Sequence, residues 1–162
     1  FTFAVGQIKP EELDLLVTTR ESLDLAIGQA IAGNRLGDIG FAVQHHAEAE
    51  HGYGVIREMV GHGIGKKLHE PPEVPNYGKR GKGPILHEGL TIAIEPMINL
   101  GTREVVLKKD GWTLVTRDLK PSAHYEHTIA IQKSAADVLS DHKVIDQAIK
   151  NNVNLSEVWI KR

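Results

Sequence analysis

Apolar and polar residues alternate with helical periodicity over the first third of the chain. Leucine, isoleucine and alanine recur three or four residues apart from Leu13 to Ala30, behind Pro10 and two acidic residues that suit a helix N-terminus. The pattern predicts a helix that begins at Pro10 and ends near Gly33. A second helix is predicted over residues 36–51. Its apolar side is formed by Leu36, Ile39, Val43 and Ala47.

Runs rich in β-branched residues alternate with glycine and proline from residue 53 onward, which is typical of strands and turns. They predict strands at residues 1–5, 53–60, 90–98 and 123–132, a hairpin at 105–116, a loop at 70–83 and a last helix at 143–150. Asp110 and Gly111, between the hairpin arms, form the preferred sequence of a type I′ turn. Two long helices followed by a mostly antiparallel sheet predict an α+β fold.

Composition restricts the class of protein. With 162 residues, of which 41% are hydrophobic and 25% charged, the chain fits one globular domain spanning residues 1–162. A formal charge of −2 offers no broad positive surface, so we expect no specific binding of nucleic acid. The absence of cysteine excludes disulfides and thiolate zinc sites. No apolar run is long enough for a bilayer and no signal sequence is visible, so we expect a cytoplasmic protein with no membrane contact.

Three residues with metal-binding side chains stand at the borders of strand-like runs: His62, Glu95 and Glu126. One imidazole and two carboxylates suit a Mn, Fe, Co or Zn ion. Taken singly, each residue has an ordinary alternative. His62 fits a glycine turn, Glu95 a buried salt bridge and Glu126 a charge at a sheet edge. Considered together, the three predict a divalent metal site.

Other candidates are weaker on residue type alone. His69, seven residues after His62, could donate to a substrate carbonyl or bond to nearby backbone. Trp112 follows the hairpin turn, where packing against the sheet is its ordinary role. We assign no function to three histidines of the second predicted helix, which we expect to be exposed: His45, His46 and His51.

Six short motifs follow one another along the chain. They are GHGIG (61–65), LHEPP (68–72), VPNY (74–77), IEPMI (94–98), DGWT (110–113) and SAHYEHT (122–128). In wording and order they resemble type I methionine aminopeptidases, and the resemblance extends from Phe3 to about Gln132. It implies the pita-bread fold, an antiparallel curved sheet with helices on its outer face. It also implies two divalent metal ions per complete active site, and removal of the initiator methionine from nascent proteins by a metal-activated water.

The resemblance assigns roles to individual residues. His62, Glu95 and Glu126 match metal ligands, with Glu126 bridging the two ions, and Glu95 also matches the carboxylate that handles the proton of the attacking water. His69 matches the histidine that contacts the scissile carbonyl. Two residues match the substrate pocket. They are Trp112, an aromatic wall, and Leu68, which stands where many members have phenylalanine.

One part of the family's pattern has no counterpart in this chain. The family's other two ligands are aspartates that precede the segment matching residues 1–6. We therefore expect an N-terminally incomplete pita-bread domain that holds at most one ion weakly and turns over little substrate. The resemblance further implies a monomer that acts on nascent polypeptides beginning with Met and contacts the ribosome transiently.

Two alternatives stay open. The first is an X-Pro peptidase of the same fold, such as a prolidase, and the wording of the motifs at 61–65 and 126–128 disfavours it. The second is a pita-bread protein that binds a partner without catalysis. Retention of all three available ligands disfavours that reading.

Overall fold

The computed structural model describes residues 1–158 of the chain. The helices within that range are α1 (Pro10–Gln29), α2 (Leu36–Gln44) and α3 (Lys143–Lys150), with a π-helical segment, His45–Glu50, directly after α2. The strands are β1 (Ala4–Val5), β2 (Gly54–Val55), β3 (Gly61–Gly63), β4 (Glu70–Val74), β5 (Thr91–Ile94), β6 (Met97–Asn99), β7 (Val105–Leu107), β8 (Leu114–Thr116), β9 (Ser122–His124), β10 (His127–Ala130), β11 (Asp137–Val138) and β12 (Leu155–Ser156).

Helix α1 begins at Pro10 as predicted but ends at Gln29, before the predicted stop. The reason is a long-range contact, because Ile31 forms a parallel bridge to Gln132 and the chain leaves the helix to reach it. Gly33, with a φ of 96°, then serves the turn between the helices. The second predicted helix is confirmed, although its last turn is π-helical.

The strands form antiparallel sheets. A five-stranded sheet has the order β11-β10-β5-β3-β4, a three-stranded sheet the order β2-β6-β9, and β1-β12 and β7-β8 form pairs. This arrangement confirms the predicted α+β class. The loop predicted at 70–83 is wrong over its first residues, where β4 pairs with β3. Strand β4 contains two prolines, Pro71 and Pro72, which lack a backbone N–H donor. They are tolerated because β4 lies at the edge of the sheet and has a partner strand on one side only.

The hairpin of β7 and β8 is confirmed, but its turn is not. The last pair is Leu107 with Leu114, which leaves residues 108–113 in the loop. Gly111 has a φ of 71°, whereas Asp110 lacks the positive φ that a type I′ turn requires. The Asp110 carboxylate instead accepts hydrogen bonds from the backbone N–H groups of Trp112 and Thr113, at 3.0 and 2.9 Å, and closes a wider loop.

Two of the predicted strands are each broken in the middle, and both breaks fall at the same place in the fold. Strand β5 pairs with β10 through Ile94 and His127, and β6 pairs with β9 through Met97 and His124. The register is the same on both sides of the break, so Glu95 stands opposite Glu126. Pro96 lacks a backbone N–H donor, which explains why the ladder is interrupted there.

Helices α1 and α2 pack on each other, and α1 also packs against β5, β6 and β9. The largest fully buried side chains come from α1, α2 and both larger sheets, and they include Leu15, Leu23, Ile39, Ile92, Ile94, Ile98 and Ile129. Within residues 1–158, no helix combines the length and apolar character that a bilayer crossing requires. A single domain over 1–162 stays a prediction, because residues 159–162 lie outside the described part.

Candidate metal centre

Strand register places His62, Glu95 and Glu126 on one face of the sheet. Gly63 pairs with Ile92, so the preceding residue, His62, lies beside Ala93 of β5. Side chains that are directly opposed, or two residues apart on a strand, share a face. Ala93 and Glu95 are two apart, and Glu126 opposes Glu95. One ligand atom from each of the three residues lies within 4.8 Å of the others.

The imidazole of His62 is oriented for use as a ligand. Its Nδ1 lies 3.0 Å from the carbonyl oxygen of Gly63. Because a carbonyl can only accept, Nδ1 carries the proton and Nε2 keeps a free lone pair. Nε2 lies 3.6 Å from Oε1 of Glu95, and both side chains are 15% exposed. A second bond that fixes the ring and its tautomer is typical of histidines that bind metals.

The two carboxylates require compensation. Like charges directly opposed on neighbouring strands destabilise a sheet, more so when partly buried. The imidazole of His124 lies nearby, with its Nε2 3.5 Å from Oε2 of Glu95. That buried Nε2 nevertheless has no hydrogen-bond partner among the described residues. A divalent cation fits this donor set, because it would offset both negative charges and accept the free lone pair of His62.

Residues around the break hold the two glutamates in place. Asn76, 1% exposed, donates its Nδ2 hydrogen to the carbonyl oxygen of Glu95 at 3.0 Å. Tyr125 points to the opposite face from Glu126, and its hydroxyl donates to the carbonyl oxygen of Thr2 at 3.0 Å. Burial raises the pKa of Tyr125, so the phenol stays neutral and keeps this bond.

The segment that carries Asn76 is itself positioned by close packing on α2. A Cβ atom at Gly40 would lie 2.2 Å from the carbonyl oxygen of Tyr77 and 2.6 Å from that of Pro75. Only glycine allows the backbone to approach the helix so closely. Gly40 therefore contributes indirectly to the position of Glu95.

The other predicted site residues are distributed unevenly. His69 is exposed, and its ring centroid lies 4.2 Å from that of His62, so these two are brought together. Leu68, beside it in the chain, is 68% exposed. Trp112 is 88% exposed and lies in the loop of the separate β7-β8 pair.

Sequence reasoning gave no role to Asn76 or His124. Both lie inside motifs that carry the family resemblance, and that position was the only signal available. Their contacts depend on tertiary structure. The expectation that His46 is exposed was wrong, because its side chain is 13% exposed and lies between Glu21 and Glu50.

Comparison with known proteins identifies the family. Residues 1–133 match the model of metallopeptidase family M24. The chain belongs to this family. Membership in M24 implies binding of divalent metal, in agreement with the donor set of His62, Glu95 and Glu126.

Similar M24 proteins are methionine aminopeptidases. The chain is 48% identical to that of Clostridium acetobutylicum over 139 residues, which cover 86% of this chain and 55% of the relative. It is 46% identical over 140 residues to methionine aminopeptidase 1 of Bacillus subtilis, covering 86% and 56% of the two chains. The chain thus spans about half the length of the curated relatives it matches.

Solved structures support the same assignment. The crystal structure of the methionine aminopeptidase from Thermotoga maritima matches with a TM-score of 0.80 at 46% identity, covering 83% of this chain and 53% of that one. An X-Pro aminopeptidase from the same organism matches with a TM-score of 0.62 at 18% identity, and this likeness concerns the fold alone. The expected resemblance to methionine aminopeptidases and the pita-bread M24 fold are confirmed.

Proposed function

We propose that this M24 protein is a metal-dependent aminopeptidase that removes the initiator methionine from nascent proteins. The observation that carries the proposal is the meeting of His62, Glu95 and Glu126, whose ligand atoms lie within 4.8 Å of one another on one sheet face. The names of its similar relatives supply the reaction class. Because the match spans about half of each relative, the activity is proposed and not established.

His62, Glu95 and Glu126 are the proposed metal ligands. The ion is Co, Mn, Fe or Zn, which share a preference for imidazole and carboxylate donors. A complete site would hold two ions, with Glu126 between them. When bound, a divalent ion acts as a Lewis acid and lowers the pKa of a water molecule.

Glu95 and His69 are the proposed catalytic residues. The carboxylate of Glu95 faces His62 with one oxygen and His124 with the other. It is therefore placed among groups that can share a proton with it. His69 is exposed beside His62, where a substrate carbonyl could accept a hydrogen bond from its ring.

Leu68 and Trp112 are the proposed contacts for the methionine side chain. Both are apolar and largely exposed, which supports a role in binding an apolar group. The proposed partners are nascent polypeptides that begin with Met, with transient ribosome contact by a monomeric, cytoplasmic protein. X-Pro peptidase activity is not favoured, because the solved structures of an X-Pro aminopeptidase and a prolidase share only 18% and 24% identity with this chain.

Metal binding by the 162-residue chain tests the ligand assignment. Glu126→Gln keeps the size of the side chain but removes its charge, and we expect it to weaken binding of Co²⁺ or Mn²⁺ at least tenfold, about 1.4 kcal/mol. Glu88→Gln is the matched control, because Glu88 is exposed and pairs only with Lys133 among the described contacts. Equal affinities for the two variants, measured by calorimetry, would show that Glu126 is not a ligand.

Methionine release tests the reaction. The full-length protein is incubated with a Met-Ala-Ser peptide and, separately, with an X-Pro peptide, in the presence of each of several divalent metals. We expect the N-terminal residue to be released faster from Met-Ala-Ser than from the X-Pro peptide. Glu126→Gln should lower the rate of methionine release more than His69→Ala does. Failure to release methionine under every metal would refute the activity. If His69→Ala lowered the rate of methionine release more than Glu126→Gln did, the proposed roles of these two residues would be wrong.

A further inference from the structure

A second group of metal-binding side chains lies away from the centre described above. Glu21 of α1, His46 of the π-helical segment and His51, directly after that segment, each present a ligand atom, and these atoms lie within 4.8 Å of one another. The group shares no residue with His62, Glu95 and Glu126. Its existence does not depend on the proposed function.

The π-helical segment explains why two of these residues meet. In an α-helix, residues five apart point about 140° away from each other. In the wider π-turn, backbone bonds run from residue i to i+5, so residues five apart come into line. The ring centroids of His46 and His51 are accordingly 4.7 Å apart. Such turns are rare, but those that do occur are frequently part of a functional site.

The ring of His46 is oriented by two carboxylates. Its Nδ1 lies 2.7 Å from Oε2 of Glu50. An ionised carboxylate oxygen only accepts hydrogen bonds, so Nδ1 is the donor in this bond. Nε2, the other ring nitrogen, faces Oε2 of Glu21 at 3.2 Å, so it is the nitrogen that would bind a metal ion shared with Glu21. Two ligand atoms on one tetrahedral zinc ion are separated by about 3.3 Å.

The positions of His51 and Glu21 also suit metal binding. Nδ1 of His51 lies 3.2 Å from the hydroxyl oxygen of Thr18, which is fully buried in α1. Thr18 and Glu21 are three residues apart and so share one face of that helix. The Glu21 side chain is 20% exposed, whereas His51 is exposed, which leaves a path for an ion and a water molecule.

We propose that Glu21, His46 and His51 form a second divalent-cation site, with Zn²⁺ as the preferred ion and water completing the coordination. Two imidazoles and one carboxylate with an open position are a common zinc donor set. The carboxylate of Glu50 supplies the outer hydrogen bond that metal-binding histidines usually have. A bound ion would link α1 to the segment after α2 and stabilise the folded state.

Zinc titration tests the proposal in a background that lacks the first centre. The double variant His62→Ala, Glu126→Gln of the 162-residue chain is titrated with Zn²⁺ alone, and we expect one equivalent to bind with micromolar affinity. In that background, His46→Gln and Glu21→Gln should each weaken binding at least tenfold. Glu21→Gln keeps a hydrogen-bond partner for His46, so it separates loss of a ligand from loss of packing.

His45→Gln is the matched control. His45 belongs to the same π-helical segment and also lies near Glu50, at 3.1 Å, but it contributes no atom to the group. We expect it to keep the zinc affinity and the zinc-dependent rise in melting temperature, with circular dichroism showing folded protein throughout. Absence of binding up to roughly 100 µM Zn²⁺, or equal losses in His45→Gln and His46→Gln, would overturn the proposal. In that case His46 merely bridges Glu21 and Glu50 as a charged imidazolium.

Discussion

His142, at the start of α3, should make folding stability depend on pH. Its ring stacks on that of His127, with centroids 3.6 Å apart, and meets the ring of Phe1 edge-on at 5.0 Å. Burial, and next the neighbouring His127, lower the pKa of His142 from 6.5 to about 4. Arg20, which forms a two-pronged ion pair with Asp146 nearby, lowers it further. The folded state therefore favours the neutral imidazole of His142.

The sign and size follow from proton linkage. A histidine whose pKa is lower when folded stabilises the protein fully above its unfolded pKa of 6.5, and this stability is lost as the pH falls from there towards about 4. Between about pH 7.5 and about pH 5, a shift of the pKa from 6.5 to about 4 lowers the free energy of unfolding by about 2 kcal/mol. His142 is only partly buried, so solvent screening reduces the expected loss to about 1 kcal/mol.

Urea denaturation of metal-free protein at the two pH values measures this loss. His142→Gln removes the titrating group, and its unfolding free energy should fall by about 1 kcal/mol less than that of the unchanged chain over the same interval. His87→Gln provides the control, because His87 is exposed, and it should behave like the unchanged chain. If His142→Gln shows the same pH dependence as the unchanged chain, the reasoning is refuted.

Four substitutions test packing. Gly40→Ala places a Cβ 2.2 Å from the carbonyl oxygen of Tyr77 and should cost about 1–3 kcal/mol in urea unfolding. Gly28→Ala meets no atom within 4 Å and should stabilise α1 by roughly 0.5–1 kcal/mol, so equal effects would contradict the packing argument. Ile94→Ala empties a fully buried position and should cost about 2–5 kcal/mol. Trp112→Ala, at an 88% exposed position, should change stability by less than about 0.5 kcal/mol, and a larger loss would reveal unrecognised packing.

Local patterns predicted the helices well and the strands less well. Helix α3 has the bounds 143–150 that its periodicity predicts, and α1 starts at Pro10 as its acidic first turn indicates. Helical hydrogen bonds join residues four apart, so the sequence nearby contains most of the signal. Strand ends depend on distant partners instead. Ile31 leaves the helical path to meet Gln132, and the strand predicted over 53–60 is reduced to Gly54–Val55.

The two proposed metal sites also differ in how far the sequence predicts them. The sequence by itself predicted His62, Glu95 and Glu126 as metal ligands, because residue type and flanking motifs are local properties. Only the tertiary structure placed Glu95 opposite Glu126, through the register of β5 with β10.

The group of Glu21, His46 and His51 was not predicted at all, because it depends on contact between α1 and a π-turn. Neither the contact with α1 nor the π-turn can be predicted from a hydrophobic pattern with a period of 3.6 residues. A sequence determines which donors a chain possesses and which elements it favours locally. Packing between distant segments decides which of those donors meet.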